Sequence, residues 1–264
     1  MSKPFSIALP RRGLVHIEGE DRKSFLQGLV SNDMEKVSPG KITYACLLTP
    51  QGKFLHDFFI HEGDNFLLLD CEGGARAQDL HDRLNKFRLR AKVKLSVEEN
   101  HPVYAILPSS HTGLDPGSTD PDLRLDAKID PRDSRLGHRT FQKPPCEEKA
   151  FEEWDRLRIS LTIPDGSRDM QPERATLLES HIDKLNGIDW QKGCYMGQEL
   201  TARLHYRGLA KKHIHTVKID GAAPAPFSDL PNGGTMLSSC GDLGLALLKD
   251  EKLHETDYGT VKPL

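Results

Sequence analysis

The sequence predicts an α+β fold of small mixed modules built mostly from antiparallel sheets, and three observations carry that reading. Short apolar runs alternate with tight turns rich in glycine, proline and aspartate; only a few stretches place apolar residues at helical spacing; and no strand–helix unit recurs regularly, as a doubly wound sheet would require. At 264 residues the chain can bury a substantial core without disulfides or structural metals.

Residues 14–17 read as a strand. Gly19-Glu20-Asp21 then opens a helix with Phe25, Leu26 and Leu29 on one face, ended by Asn32-Asp33. Two apolar runs, 44–48 and 54–60, flank the turn Thr49-Pro50-Gln51-Gly52-Lys53, and Asp57 falls inside the hydrophobic pattern of the second. A further strand at 66–69 precedes a helix over 75–87 with Leu80, Leu84 and Phe87 available for one face, and strands follow at 92–97 and 103–107. Residues 111–139 are loop-rich, with one short strand at 123–125. Helices are predicted over 146–159, where Phe151, Trp154 and Leu157 or Arg158 lie about three apart, and over 176–185. Strands at 214–219, 236–237 and 243–248, with an Ala/Pro/Gly-rich linker at 221–234, predict a short barrel-like β-segment. Residues 1–205 are thus read as an α+β region of two interleaved modules, and 206–264 as a small β-rich module.

Lysine plus arginine number 36 against 39 for aspartate plus glutamate, a formal charge of -3 that argues against general nucleic-acid binding. No apolar run approaches the roughly 20 residues of a membrane span, so no membrane partner is expected, and the first residues lack the apolar core of a secretory signal. Cysteines at 46, 71, 146, 194 and 240 form no CxxC pair and fit a reducing compartment. The cytoplasm is the default; the mitochondrial matrix fits a chain whose targeting peptide has been removed. His213 and His215 alternate around Ile214 and read as ordinary strand residues, since no third metal ligand lies near them in sequence.

The most informative segment runs from Gly187 to Arg203. Three glycines there permit tight turns or close backbone approach, and Leu200 and Leu204 predict a helix starting near Gly197. Cys194 would then precede a helix N-terminus, where exposed amides and the neighbouring Lys192 favour a thiolate. The alternative is a small buried thiol in a glycine-rich connection. One cysteine cannot hold a four-thiolate cluster, so no stable metal cofactor is expected, and a cluster there would need ligands from a partner or a small thiol.

The block Lys192-Gly193-Cys194-Tyr195-Met196-Gly197-Gln198-Glu199, continued by Leu200-Thr201-Ala202-Arg203 and Arg207-Gly208, resembles the KGCYxGQE signature of the YgfZ family of iron–sulfur maturation proteins, which is related in fold to the glycine-cleavage aminomethyltransferase, or T-protein. The resemblance extends to Phe25-Leu26-Gln27-Gly28-Leu29 with Ser31-Asn32-Asp33, to Leu48-Thr49-Pro50-Gln51-Gly52-Lys53 with Asp57, to Asp130-Pro131-Arg132 with Leu136-Gly137 and Arg139, and to Leu185-Asn186-Gly187-Ile188-Asp189. Leu178-Glu179 departs from the family pattern, which often has a proline before that pair.

The resemblance implies a T-protein-like arrangement of small modules around a central cavity and tetrahydrofolate or a related reduced folate as ligand. It also implies assistance in assembling or repairing four-iron clusters, with iron–sulfur carrier or client proteins as partners. Cys194 would be the transient thiol or cluster contact. Glu179 would meet the pterin donors, Tyr195 would stack or hydrogen-bond, Arg203 and Arg207 would guide the acidic tail, and Asp57 is a further acceptor; solvated helix, core packing, surface ion pair and turn are the respective ordinary alternatives. The competing function is a folate-dependent aminomethyltransferase or demethylase, with Asp57 as its carboxylate.

Overall fold

A computed structural model describes residues 3–98, 101–108, 126–253 and 258–264. In chain order these form β1 (Phe5–Ala8), β2 (Arg12–Glu18), α1 (Arg22–Gln27), β3 (Thr43–Leu48), β4 (Phe54–Glu62), β5 (Phe66–Glu72), α2 (Ala75–Phe87), β6 (Lys94–Glu98), β7 (Tyr104–Leu107), β8 (Lys128–Ile129), β9 (His138–Thr140), β10 (Glu147–Lys149), α3 (Phe151–Ser160) and α4 (Gln198–Arg207). The last strands are β11 (Lys212–Ile219), β12 (Asp229–Leu230), β13 (Gly234–Cys240), β14 (Leu243–Lys249) and β15 (Val261–Pro263). The mixed α+β class follows the sequence reading.

Two compact units divide the chain, the first made of Met1–Leu47, His56–Phe151 and Asn186–Met196, the second of Leu48–Leu55, Glu152–Leu185 and Gly197–Leu264. The first unit holds two five-stranded sheets. One has the order β3-β4-β5-β2-β6, with β5 and β6 both antiparallel to β2; the other, β10-β1-β7-β9-β8, is antiparallel apart from the parallel pair β1–β10. Strand β4 is buried along nearly its whole length, so both faces of its sheet are covered, and Leu14, Ile17, Leu26, Phe58, Ile60, Leu67 and Leu69 build the core. Helix α2 keeps the predicted span and buries Ala77, Leu80 and Leu84, a stripe at helical spacing; Phe87 stays exposed.

The second unit is built on the antiparallel sheet β12-β13-β14-β11-β15, with a register shift in β13 between Met236 and Ser239. Val217, Ile219, Met236, Ala246, Leu248 and Val261 fill one of its clusters, and Ile159, Ile214, Leu237 and Leu245 another. Helix α3 contributes a charged buried face. The Arg158 guanidinium donates to Asp155 at 2.7 Å, Asp169 at 2.6 Å and Ser238 Oγ at 2.7 Å, so a fully buried cation meets two carboxylates and a hydroxyl. The described part of 206–264 lies wholly in this unit.

Three readings need correction or placement. The helix predicted over 146–159 begins only at Phe151, because Glu147–Lys149 pairs in parallel with Phe5–Ile7 as a strand. The helix predicted over 176–185 is a run of turns, in which His181 takes a φ of 56° and Glu179 bonds back to Thr176. Such local side-chain bonds compete with helix formation. The strand predicted at 123–125 lies outside the described residues.

Candidate functional site

The loop carrying Cys194 is fastened to the first unit by a lysine. Lys192 Nζ donates to three main-chain carbonyls, Gln27 at 2.8 Å, Val30 at 2.7 Å and Asn32 at 2.8 Å, which uses all three ammonium protons at the exit of α1. Burial pushes this amine down to about 8, against the pull of Asp33 and Asp189. Met196 N–H donates to Gly28 C=O at 3.0 Å, Asp189 N–H to Ser31 C=O at 3.1 Å, and Ser31 Oγ to Gly187 C=O at 2.6 Å. Lys192 is therefore an anchor of the loop, its three donors engaged by main-chain carbonyls.

Cys194 is the exposed thiol of the five, all of which are free. Gly193 beside it has open space where a Cβ would stand, while Tyr195 is buried with the Lys192 ammonium 5.1 Å from its ring centre. Burial pushes the Cys46 thiol well up and Cys71 up to about 12, and Cys240 is raised by the same cause. Thiolate chemistry needs access to solvent or partner as well as an ionised sulfur. Among the described residues no group of three or more His, Cys, Asp or Glu side chains is placed to hold a metal ion.

Asp57 sits in the interior strand β4, buried, and accepts from Tyr44 Oη at 3.0 Å. Alternate residues of β4 put Asp57, Phe59 and His61 on one face. Against the Phe59 ring lie three guanidinium carbons, Arg139 at 3.9 Å, Arg132 at 4.7 Å and Arg12 at 5.2 Å from its centre. Arg132 grips Asp130 through two nitrogens at 3.0 and 2.8 Å; Arg12 reaches Asp70 at 2.6 Å, and Arg139 pairs with the same carboxylate. Burial drives the Asp70 carboxyl up, but Arg12 and Arg139 outweigh it and hold it below the usual range. Three arginines and three aspartates thus form a charge-balanced buried joint between the two sheets of this unit. In such a network the desolvation of the charges offsets much of their mutual attraction, whereas loss of one partner would leave a buried charge uncompensated.

Beside the Cys194 loop a cleft of about 610 Å³ is lined by Tyr44, Trp190, Asn32, Asn186, Gln191, Asp189, Lys36 and Lys41, among others. Lys36 pairs with Asp189, whereas Lys41 has no ion pair with a described residue. Aromatic walls with a few amides and cations are the usual lining of a small-molecule site.

In the second unit two glycines meet. Gly52 and Gly197 both have a φ of 80°, and a Cβ at Gly197 would stand 2.4 Å from Thr49 O, while one at Gly52 would stand 2.7 Å from Gly197 O. The turn after β3 and the start of α4 therefore need glycine at both places. Gln198 opens α4 and Glu199 lies in its first turn, where a carboxylate complements the positive end of the helix. Arg203 and Arg207, four apart on that helix, are exposed and make no ion pair with a described residue. Glu179 accepts from Thr176 N–H at 3.2 Å and from Thr176 Oγ1 at 2.7 Å, while its own C=O accepts from Ile214 N–H at 2.8 Å. Its segment is thereby pinned to β11.

Comparison with models of protein families gives no match. The human protein named iron–sulfur cluster assembly factor IBA57, mitochondrial, is 32% identical over 93% of this chain and 77% of its own length. The IBA57 homolog of Mycosarcoma maydis is 33% identical over 78% of this chain and 55% of its own. The chain belongs to the IBA57 family of iron–sulfur cluster assembly factors. The crystal structure of glycine cleavage system aminomethyltransferase T from Bartonella henselae superposes with a TM-score of 0.70 at 14% identity, covering 97% of this chain and 81% of that one. The fold of this IBA57-family chain is accordingly that of the aminomethyltransferase.

The structure gathers Asp57, Lys192, Gly193, Cys194 and Tyr195 in the first unit and Glu179, Gly197, Gln198, Glu199, Arg203 and Arg207 in the second. Sequence reasoning missed the cleft, whose Trp190 and Asp189 adjoin the signature, and missed that Arg132 and Arg139 cap the Phe59 face. It also missed partners of the histidine pair. Asp250 accepts from His213 Nδ1 at 2.8 Å and lies 3.3 Å from His215 Nε2, and the His181 ring stacks on His213 at 5.0 Å. Only the DPR and LG-R motifs could have signalled the arginines; nothing local links 181, 213 and 250.

Proposed function

We propose that this chain is an accessory factor in the assembly or repair of iron–sulfur clusters, especially four-iron clusters, with Cys194 as the transient thiol that contacts iron or a cluster. The carrying observation is one accessible thiol on a loop clamped by Lys192, with the described residues providing no metal-holding group around it. A single thiolate leaves most coordination positions to a carrier protein, a client or a small thiol, which suits hand-over better than storage. The names of the IBA57 relatives support the same reading. They also point to the mitochondrion, and we adopt its matrix as the location; five free thiols agree with a compartment that is not oxidising.

A reduced folate is the ligand this reading carries, and the donor set fits its chemistry. Within the first unit Asp57 offers a carboxylate acceptor for a pterin and Tyr44 and Trp190 offer aromatic surface; within the second, Glu179 offers a carboxylate, and the exposed Arg203 and Arg207, which make no ion pair with a described residue, offer cations for a glutamate tail. When bound, the folate would supply a one-carbon acceptor. Equilibrium binding of tetrahydrofolate to Arg203→Ala and Glu179→Gln tests the contacts: affinity falls by roughly tenfold for each lost charged bond, and unchanged affinity removes that residue from the site.

The functional class is tested by supplying the chain to cells that lack their own maturation factor and assaying a four-iron enzyme. Restored activity is expected. One-carbon transfer from an aminomethylated lipoyl carrier without restoration would place the chain with the aminomethyltransferases instead.

A further inference from the structure

The turn that joins α2 to β6 carries a feature unconnected with the thiol loop, the cleft or the ionic joint. It reads Lys86-Phe87-Arg88-Leu89-Arg90-Ala91-Lys92-Val93-Lys94, five cations and no acid in nine residues of a chain whose formal charge is -3. All five cationic residues are exposed. Between them stand two large apolar side chains turned to solvent, Leu89 at 89% exposure and Phe87 at 42%.

Some of this has an ordinary cause. Lys86 lies in the last turn of α2, where a cation complements the negative helix end, and Lys94 lies on β6, an edge strand that lysines protect from further pairing. Lys92 reaches Glu20 at 2.9 Å, and Lys94 stands opposite Glu18 in the β2–β6 register. Arg88, the C-cap of α2, shares the first cause, but neither cause reaches Leu89 or Arg90. The two arginines make no ion pair with a described residue. Leu89 has a φ of 40°, a left-handed backbone that side chains with a β-carbon rarely adopt, inside a turn closed by Ala91 N–H on Arg88 C=O at 2.7 Å. A leucine kept in strained backbone and aimed at water gains nothing from burial in the chain's own core.

We propose that this turn is a peripheral membrane contact: Leu89 and Phe87 enter the interfacial layer of an anionic phospholipid surface while Lys86, Arg88 and Arg90 meet its phosphates. Apolar side chains ringed by lysine and arginine are the chemistry by which proteins lie on such surfaces. A protein partner fits less well, because a stable interface buries roughly 800 Å² on each side and this turn offers two apolar side chains. A fluid lipid surface needs no matched shape. Among the described residues no helix is long and apolar enough to cross a membrane; the expectation of no membrane partner rested on the lack of such a span and does not bear on a surface contact.

The full chain is sedimented with vesicles of phosphatidylcholine alone and of phosphatidylcholine and phosphatidylglycerol in a two-to-one mixture. Binding to the second and not the first is expected, and Arg88→Ser with Arg90→Ser should weaken it by roughly tenfold or more, from about fivefold per cation. Leu89→Ser should lower the binding that survives added salt. A control that removes two exposed cations elsewhere, Lys211→Ser with Lys218→Ser, should bind as the unchanged chain does; circular dichroism checks that all variants fold. Equal weakening in the control, or no binding to anionic vesicles, overturns the proposal. So does capture on immobilised polyglutamate that the Arg88 and Arg90 substitutions abolish while vesicles fail to bind, which would assign the turn to an acidic protein.

Discussion

At the scale of single residues, the signature around Cys194 separates into parts with different physical duties. Lys192 satisfies three carbonyls where α1 ends, Tyr195 is packed, and Cys194 is left facing outward. The two glycines differ as well. Gly193 has open space around its missing Cβ, whereas Gly197 combines a φ of 80° with a backbone oxygen 2.4 Å from where a Cβ would stand. Gly197→Ala should therefore lower unfolding stability by about 2–4 kcal/mol, and Gly193→Ala should stay within about 0.5 kcal/mol. Chemical denaturation of the two variants checks this; equal effects would show that Gly197 is not under the strain its surroundings imply. The sequence pointed to glycine-rich close approach, but only packing against Gly52, far away in the chain, decides which glycine needs it.

At the scale of elements, β4 is the most demanding strand. It is buried on both faces yet carries His56, Asp57 and His61. Burial lowers His56 to about 4, with Arg76 adding to it and Asp79 opposing, and lowers His61 to about 3. The unfolded chain takes up these protons near pH 6.5 while the folded chain does not, so their contribution is complete above pH 6.5 and drains away as pH falls toward those values. Each histidine should remove about 1.4 kcal/mol per pH unit across pH 6 to 4, and His61→Gln should make the slope shallower by about that amount. Urea midpoints measured at pH 7 and pH 5 decide it; an unchanged slope in the variant would show that His61 is protonated in the folded chain. The elements most legible in the sequence were those with a simple period. Helix α2 announced itself through Leu80 and Leu84, and the pairs around 48–54 and 243–248 through turn residues and apolar alternation. The stretch 176–185 has similar apolar spacing, but Thr176, Glu179 and a left-handed His181 convert it to turns, a competition that periodicity does not register. Residues 147–149 became a strand because a distant edge, β1, was there to pair with.

For the molecule as a whole, the aminomethyltransferase fold and the IBA57 family set the frame, and the residues within each unit give it chemical content. The motifs spread along the chain include structural joints: Asp130, Arg132 and Arg139 lock two sheets through Asp70 and Phe59, while Gly52 and Gly197 let a turn and a helix start touch. The thiol itself was legible from the signature, whereas its exposure was not, because a buried cysteine in a glycine-rich connection fitted the same residues. The buried arginine joint was not, because charged residues normally stay at the surface and only the fold shows that their partners converge. The central claim is that Cys194 takes part directly in cluster maturation. Its most direct measurement is the activity of a four-iron enzyme in cells lacking their own factor, supplied with the unchanged chain or with Cys194→Ala at equal folded abundance. The account predicts restoration by the unchanged chain and loss with Cys194→Ala; equal restoration by both would contradict it.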